Sequence, residues 1–276
     1  MRIARVFARK TFMTPTDADA YFDVPPFQAK EYDVAHVSVT FTEDIEWGQF
    51  LCQQWAKYTN TTIGGPAFGD EGGEFVPGLY LKPGVTITSG GCCNNCSFCV
   101  VPKREGKIRT LEIKPGHTIQ DNNLLACPDD HIAKVFEMLK SQKQIDFAGG
   151  LEAARITDSV VDKLRGLSVK QLWIAYDDSG RWSLVLRAIE RLKQHFPQRK
   201  IRCYVLIGYG DDTLDKAEGR LRQVFDAGGL PFAMLYSPGH TEQKWKLLQR
   251  TFTRPAATLA YMKNSKDSIR EVVGAK

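Results

Sequence analysis

Strand-like and helix-like segments alternate from residue 85 to residue 252, and this alternation constrains the fold more than any other feature of the chain. The strand-like segments are short apolar runs, whereas the helix-like segments repeat apolar residues three and four positions apart. Predicted strands cover 85–89, 145–148, 172–176, 201–209 and 231–236, and predicted helices cover 131–142, 158–167, 184–196, 214–225 and 244–252. Repeated strand–helix units form parallel strands joined by right-handed crossovers. The expected fold class is therefore α/β, a partial (β/α)6-type TIM barrel.

The first 80 residues carry a smaller pattern of their own. A strand is predicted at 34–41, a helix at 45–58 and a short strand at 61–63. A Gly/Pro-rich stretch follows, so the boundary is expected within 70–84. We predict a small, degenerate Rossmann-like α/β extension at 1–80, a barrel core at 81–250, and a C-terminal tail or helix at 251–276. The expected core anchors of the first helix are Trp47, Phe50, Leu51 and Trp55.

Composition excludes several classes of protein. Of the 276 residues, 43% are hydrophobic and 25% charged, which is ordinary for a globular domain. No stretch approaches 18 apolar residues, and the basic N-terminus lacks an apolar signal-peptide core, so a cytoplasmic location without a membrane partner is expected. The net charge of +5 allows a nucleic-acid partner but gives no support for one, because no Lys/Arg run reaches five residues.

Four of the seven cysteines lie within residues 92–99, which points to metal or redox chemistry. Cys92, Cys96 and Cys99 have the spacing C-x3-C-x2-C, and thiolates of this kind hold iron–sulfur clusters. Three ligands on a 4Fe-4S cluster would leave one iron open, as in catalytic rather than structural metal sites. A zinc ribbon, a ferredoxin-type carrier using Cys93, and disulfides remain alternatives, although Cys93 is not expected to be a ligand because adjacent side chains point apart.

The motif C-x3-C-x-aromatic-C, with Phe98 before the last cysteine, resembles that of the radical S-adenosylmethionine (SAM) superfamily. Val100-Val101-Pro102, Glu105-Gly106 and Arg109 also look like members such as methylthiotransferases and cobalamin-type enzymes. The resemblance covers about residues 84–240. It implies two cofactors, a 4Fe-4S cluster and SAM, and a reducing partner such as a flavodoxin or ferredoxin.

The same resemblance implies residues that contact SAM. Gly149, Gly150 and Glu152 look like a Gly-Gly-Glu motif with one inserted residue, Leu151, and the alternative is a simple strand-to-helix turn. Arg155 is expected to pair with the SAM carboxylate, or else to be a surface arginine.

Further contacts are expected at other strand ends. Asp177, beside Asp178, is expected to bind the ribose hydroxyls, with helix capping as the alternative. Gly208 is expected to lie along the adenine of SAM, in a strand-end motif whose usual downstream acidic residue would be Asp211. Asn123 belongs to an Asp-Asn segment near the cluster, or to a polar turn.

Motifs that the sequence lacks limit the kinds of reaction to be expected. The N-terminal region holds only Cys52 and no cysteine follows Cys203, so a second cluster is not expected. The motif D-x-H-x-x-G, which supplies the histidine ligand in cobalamin-binding domains, is also absent, so His-ligated cobalamin is not expected.

The expected function is a radical SAM enzyme in which one cluster cleaves SAM to a 5′-deoxyadenosyl radical that abstracts hydrogen from a substrate. Catalytic side chains beyond the cofactor contacts are not assigned. Within this class, the alternative is an enzyme that modifies nucleic acids or nucleotides; outside it, the alternative is a non-enzymatic iron–sulfur or zinc protein.

Overall fold

The fold is described from a computed structural model, which covers residues 1–28, 30–236 and 242–264. The chain divides into two compact units, residues 1–122 and 123–276. Both units are mixed α/β structures built on parallel strands. Among the described residues, no helix has the length and apolar character needed to cross a bilayer.

A four-stranded parallel sheet opens the first unit. Its strands are β1, Ile3–Phe7; β2, Ala20–Tyr21; β3, Val34–Ser38; and β4, Asn60–Gly64, in the order β2-β1-β3-β4. Strands β1 and β2 were not predicted from the sequence, which indicated only one α/β unit here. Strand β1 has no alternating apolar pattern because it contains a buried charged residue, Arg5. The Arg5 guanidinium donates to the carbonyls of Gly78 and Leu79 and pairs with Asp17.

Helix α1, Ile45–Trp55, packs on this sheet through a narrow face. Leu51 and Trp55 are buried as expected. The expectation that Trp47 and Phe50 anchor the helix is wrong: each is 41% exposed, and their rings stack with centroids 5.2 Å apart. The helix approaches the sheet at Gly48, where a Cβ would collide with Val39, so the buried face runs through Gly48, Leu51 and Trp55. Trp47 and Phe50 lie beside that face.

Short elements complete the first unit. They are β5, Val85–Thr86; β6, Ser89–Gly90; α2, Val101–Arg104; β7, Arg109–Thr110; and β8, Thr118–Ile119. Strand β5 pairs in parallel with β8, and β6 pairs antiparallel with β7. The single strand expected at 85–89 is thus broken at residues 87–88, where the Thr88 amide donates to the Asp121 carboxylate instead of to a strand.

The second unit repeats the strand–helix alternation that the sequence predicts. Its elements are α3, Asp129–Lys140; β9, Ile145–Leu151; α4, Asp158–Arg165; β10, Val169–Tyr176; α5, Trp182–Lys193; β11, Ile201–Ile207; α6, Leu214–Ala227; β12, Leu230–Leu235; α7, Gln243–Thr253; and α8, Pro255–Asn264. Strands β9 to β12 are parallel and adjacent in chain order. Their carboxyl ends therefore form one edge of the sheet, which is the edge where parallel α/β proteins bind ligands.

Candidate functional site

The cysteine segment is a loop between β6 and α2. Cys92, Cys96 and Cys99 are half-buried in this loop, and Cys93 is exposed. The Asn94 amide donates to Cys92 Sγ over 3.4 Å. This contact ties the Cys92 side chain to the backbone of the loop.

The start of the loop depends on a glycine. Gly91 has a φ of +73°, and a Cβ there would collide with the carbonyl of Lys107. The next amide, that of Cys92, donates to the Gly106 carbonyl over 3.1 Å. Gly91 thus lets the chain pass against segment 106–107 immediately before the first cysteine.

Asp121 holds the strand that leads into the loop. Its carboxylate accepts hydrogen bonds from the Thr88 amide at 2.6 Å, the Thr88 hydroxyl at 2.6 Å and the Ser89 hydroxyl at 2.7 Å. Burial raises the pKa of Asp121, while these hydrogen bonds act in the opposite direction. A buried carboxylate with three donors from one short segment fixes the path of that segment.

The donor set fits an iron–sulfur cluster better than a hard cation, because three thiols lie in one short loop. Within residues 1–28, 30–236 and 242–264, however, no three His, Cys, Asp or Glu side chains are arranged to hold a metal ion. Phe98, expected near the cofactor, is half-buried in the same loop.

In the second unit, Gly149 and Gly150 form a bulge in β9. Phe147 pairs with Leu172 and Leu151 with Ile174, so segment 148–150 lies opposite one residue of β10. Gly150 has a φ of +91°, and a Cβ there would meet nothing within 4 Å. The bulge exposes backbone at the carboxyl end of β9, where a ligand can approach the main chain closely.

Three of the predicted SAM contacts meet at the end of β9. Glu152 Oε2 accepts hydrogen bonds from Asn123 Nδ2 at 2.8 Å and from Arg155 Nε at 2.8 Å. Asn123 is buried, whereas the Arg155 side chain is 44% exposed. Arg155 is thus an exposed arginine that pairs with Glu152. The group presents a carboxylate and a guanidinium side by side, which matches the amino and carboxylate groups of an amino acid.

Asp177 and Asp178, at the end of β10, differ in burial and in hydrogen bonding. Asp178 caps the turn that follows, since its Oδ1 accepts from the Gly180 amide at 2.9 Å. Asp177 is half-buried, and burial raises its pKa to about 6, against a backbone hydrogen bond at Leu206 and the positive charges of Arg220 and Arg181. The capping alternative thus applies to Asp178, and Asp177 remains at the strand end for another role.

Asp177→Asn is expected to stabilise the protein at alkaline pH. The native pKa lies above the unfolded value, so the protonated form favours folding, and this contribution is lost as pH rises through about 6. The advantage of Asp177→Asn over the parent should grow by roughly 1 kcal/mol between about pH 5 and about pH 8 in urea unfolding. Asp178→Asn is the matched control. An Asp177→Asn effect that is constant with pH would contradict the assignment.

The turn after β11 is built on Gly208 and on an acid that sequence reasoning missed. Gly208 has a φ of +76°, and its amide donates to Asp212 Oδ2 over 2.8 Å. Asp212 also accepts both ends of the Arg220 guanidinium, at 3.0 and 2.7 Å. Asp211, which was expected to be the downstream acid, has a fully exposed side chain that pairs with Lys216. The ion pair between Asp212 and Arg220 joins a turn to α6, so it could not be predicted from the residue spacing within one helix.

An aromatic cluster lies on one face of the same sheet and was also missed. Trp173 and Tyr204 stack with centroids 4.3 Å apart, and Phe232 meets each of them edge-on. The buried Arg202 lies 4.7 Å from the Trp173 ring. Phe232 is half-buried in this cluster, whereas Met234, two residues further along β12, is 43% exposed.

Comparison of the chain with protein-family models finds no family that matches. Comparison with curated proteins likewise finds no matching relative. Function is therefore inferred from the cysteine loop and from the strand ends of the second unit.

Proposed function

We propose that the protein is a radical SAM enzyme with a single 4Fe-4S cluster on Cys92, Cys96 and Cys99. The observation that carries the proposal is the loop itself, in which three half-buried thiols with the spacing C-x3-C-x2-C follow a short, fixed strand. The exposed position of Cys93 supports a ligand set of three. Three ligands leave one iron to bind the amino and carboxylate groups of SAM.

The arrangement of the second unit supports a partial (β/α)6-type barrel. Four parallel strands adjacent in chain order, each joined to the next through a helix, are the repeating unit of such barrels. Right-handed crossovers in a constant direction place the connecting helices on one face of the sheet. The opposite face carries the aromatic cluster of Trp173, Tyr204 and Phe232, and we propose that this face lies inside the barrel.

Roles for the residues of the second unit follow from their chemistry. The backbone of the Gly149–Gly150 bulge and the carboxylate of Glu152 would receive the SAM amino group, and Arg155 would receive its carboxylate. Asp177 would accept hydrogen bonds from the ribose hydroxyls, and it does so best when ionised, above about pH 6. Gly208 would let the chain pass close to the adenine, since it has no side chain.

A reduced cluster held by Cys92, Cys96 and Cys99 would supply one electron to SAM, so that the C5′–S bond would break to give methionine and a 5′-deoxyadenosyl radical that would take hydrogen from the substrate. The electron would come from a flavodoxin or ferredoxin. The protein's own part is to hold SAM in one orientation and to keep water from the radical.

Anaerobic reconstitution tests the proposal directly. With iron and sulfide the chain should bind about four irons, and with dithionite and SAM it should release 5′-deoxyadenosine. Cluster formation without 5′-deoxyadenosine would indicate a non-enzymatic iron–sulfur protein instead. Preferential binding of zinc, with no absorbance of an iron–sulfur cluster, would indicate a zinc protein.

A further inference from the structure

Glu105 lies at the end of α2, and its carboxylate faces the start of the cysteine loop. Its side chain is only 11% exposed and pairs with Arg104. Glu105 Oε2 accepts a hydrogen bond from the Gly91 amide at 3.0 Å and another from Asn122 Nδ2 at 2.6 Å. A side chain that follows the cysteines thus holds the backbone that precedes them.

The backbone beside Glu105 holds the next residue of the loop. The Gly106 carbonyl accepts from the Cys92 amide over 3.1 Å. Two successive amides, those of Gly91 and Cys92, therefore donate to two successive residues, 105 and 106. Segment 92–104, which contains the cysteine loop and α2, is closed at its base by these contacts and by the pairing of Gly90 with Arg109.

Arg109 holds segment 105–106 through the main chain of Glu105. Its guanidinium donates to the carbonyl of Glu105 at 2.9 Å and to the carbonyls of Glu71 and Gly72. The arginine also fills the space that a Gly90 side chain would occupy. Glu105 is consequently fixed at both its side chain and its main chain, so it can impose its position on the loop.

We propose that Glu105 is a positioning residue, which orders the amino-terminal side of the cysteine loop through the Gly91 amide and so presents Cys92 to the cluster. The inference rests on the proposed cluster, and it names a group that the cysteine spacing does not reveal. A loop already held at its base loses less conformational freedom when three thiols close on a cluster.

Amide hydrogen exchange of the full-length apoprotein tests the contact without any cluster. Glu105→Ala removes the acceptor, and exchange at Gly91 and Cys92 should quicken about tenfold or more, because a hydrogen bond to a charged acceptor is lost. Glu105→Gln keeps an acceptor oxygen and should restore most of the protection. Glu112→Gln, which neutralises an exposed carboxylate in the same unit, should change nothing. Exchange within Val34–Ser38 reports whether the unit stays folded.

Reconstitution of the same variants completes the test. Glu105→Ala should lose the cluster absorbance several-fold faster than the parent during chelation, and Glu105→Gln should behave nearly as the parent does. Equal exchange and equal cluster retention in Glu105→Ala and the parent would overturn the inference while leaving the proposed function intact. A parent protein that assembles no cluster would overturn the proposed function, and the exchange result would then stand alone as evidence on the loop.

Discussion

Replacing Cys92, Cys96 or Cys99 with alanine is expected to abolish formation of 5′-deoxyadenosine, whereas Cys93→Ala should leave it near the parental level. Each of the three thiols is half-buried in the loop, and Cys93 is exposed. A cluster left with two protein thiolates loses one corner of its attachment and is released or degraded. We expect at least a 100-fold loss for each ligand variant, because the cofactor carries the difficult step.

Iron content and the visible spectrum should be measured on the same samples as the product. The ligand variants should bind little iron after reconstitution, and Cys93→Ala should bind as much as the parent. Cys52→Ala is a second control, since this cysteine lies in α1 outside the loop. If Cys93→Ala loses iron as completely as Cys96→Ala does, the three-ligand assignment is wrong.

Gly91→Ala is expected to destabilise the cysteine loop far more than Gly106→Ala, although both residues have nearly the same backbone conformation. Their φ angles are +73° and +71°, so a side chain costs about 1 kcal/mol of conformational strain at either position. A Cβ at Gly91 would also collide with the Lys107 carbonyl, whereas at Gly106 it would meet nothing within 4 Å. We expect a loss of roughly 3 kcal/mol for Gly91→Ala and roughly 1 kcal/mol for Gly106→Ala.

Peptide-resolved hydrogen exchange is the appropriate measurement, because the chain has two compact units and a single unfolding transition need not report on the loop. Protection in residues 85–110 should fall strongly in Gly91→Ala and slightly in Gly106→Ala. Protection in 145–235 should be unchanged in both. Equal effects of the two substitutions would show that the collision with the Lys107 carbonyl does not contribute to the loss of stability.

The helices and strands of the second unit were predictable because their signals are local. The helix predicted at 184–196 is found at Trp182–Lys193, and the strand predicted at 201–209 is found at Ile201–Ile207. In each case the apolar spacing of a short segment is sufficient to select helix or strand, and only the ends move. The barrel built from these elements remains a proposal.

The failures arose where a distant residue decides the outcome. Arg5 obscured β1 because its buried guanidinium pairs with Asp17 and donates hydrogen bonds to the carbonyls of Gly78 and Leu79, up to 74 positions away. Trp47 and Phe50 were expected to be buried by their type alone, yet the close approach of Gly48 to Val39 turned the helix so that they are exposed. The acid that accepts from the Gly208 amide is Asp212, which also pairs with Arg220 across the turn, whereas Asp211 pairs with Lys216.

The sequence by itself determined the cysteine spacing and the strand–helix alternation of the second unit, since these depend on residues close together in the chain. Tertiary structure alone brought Asp121 to Thr88 and Asn122 to Glu105, and it grouped Asn123 with Glu152 and Arg155. Such contacts depend on how separate elements pack, because a polar side chain can satisfy its hydrogen bonds with many different partners. Spacing within one segment therefore indicates which thiols could bind a cluster, and only the packed chain shows what holds them in place.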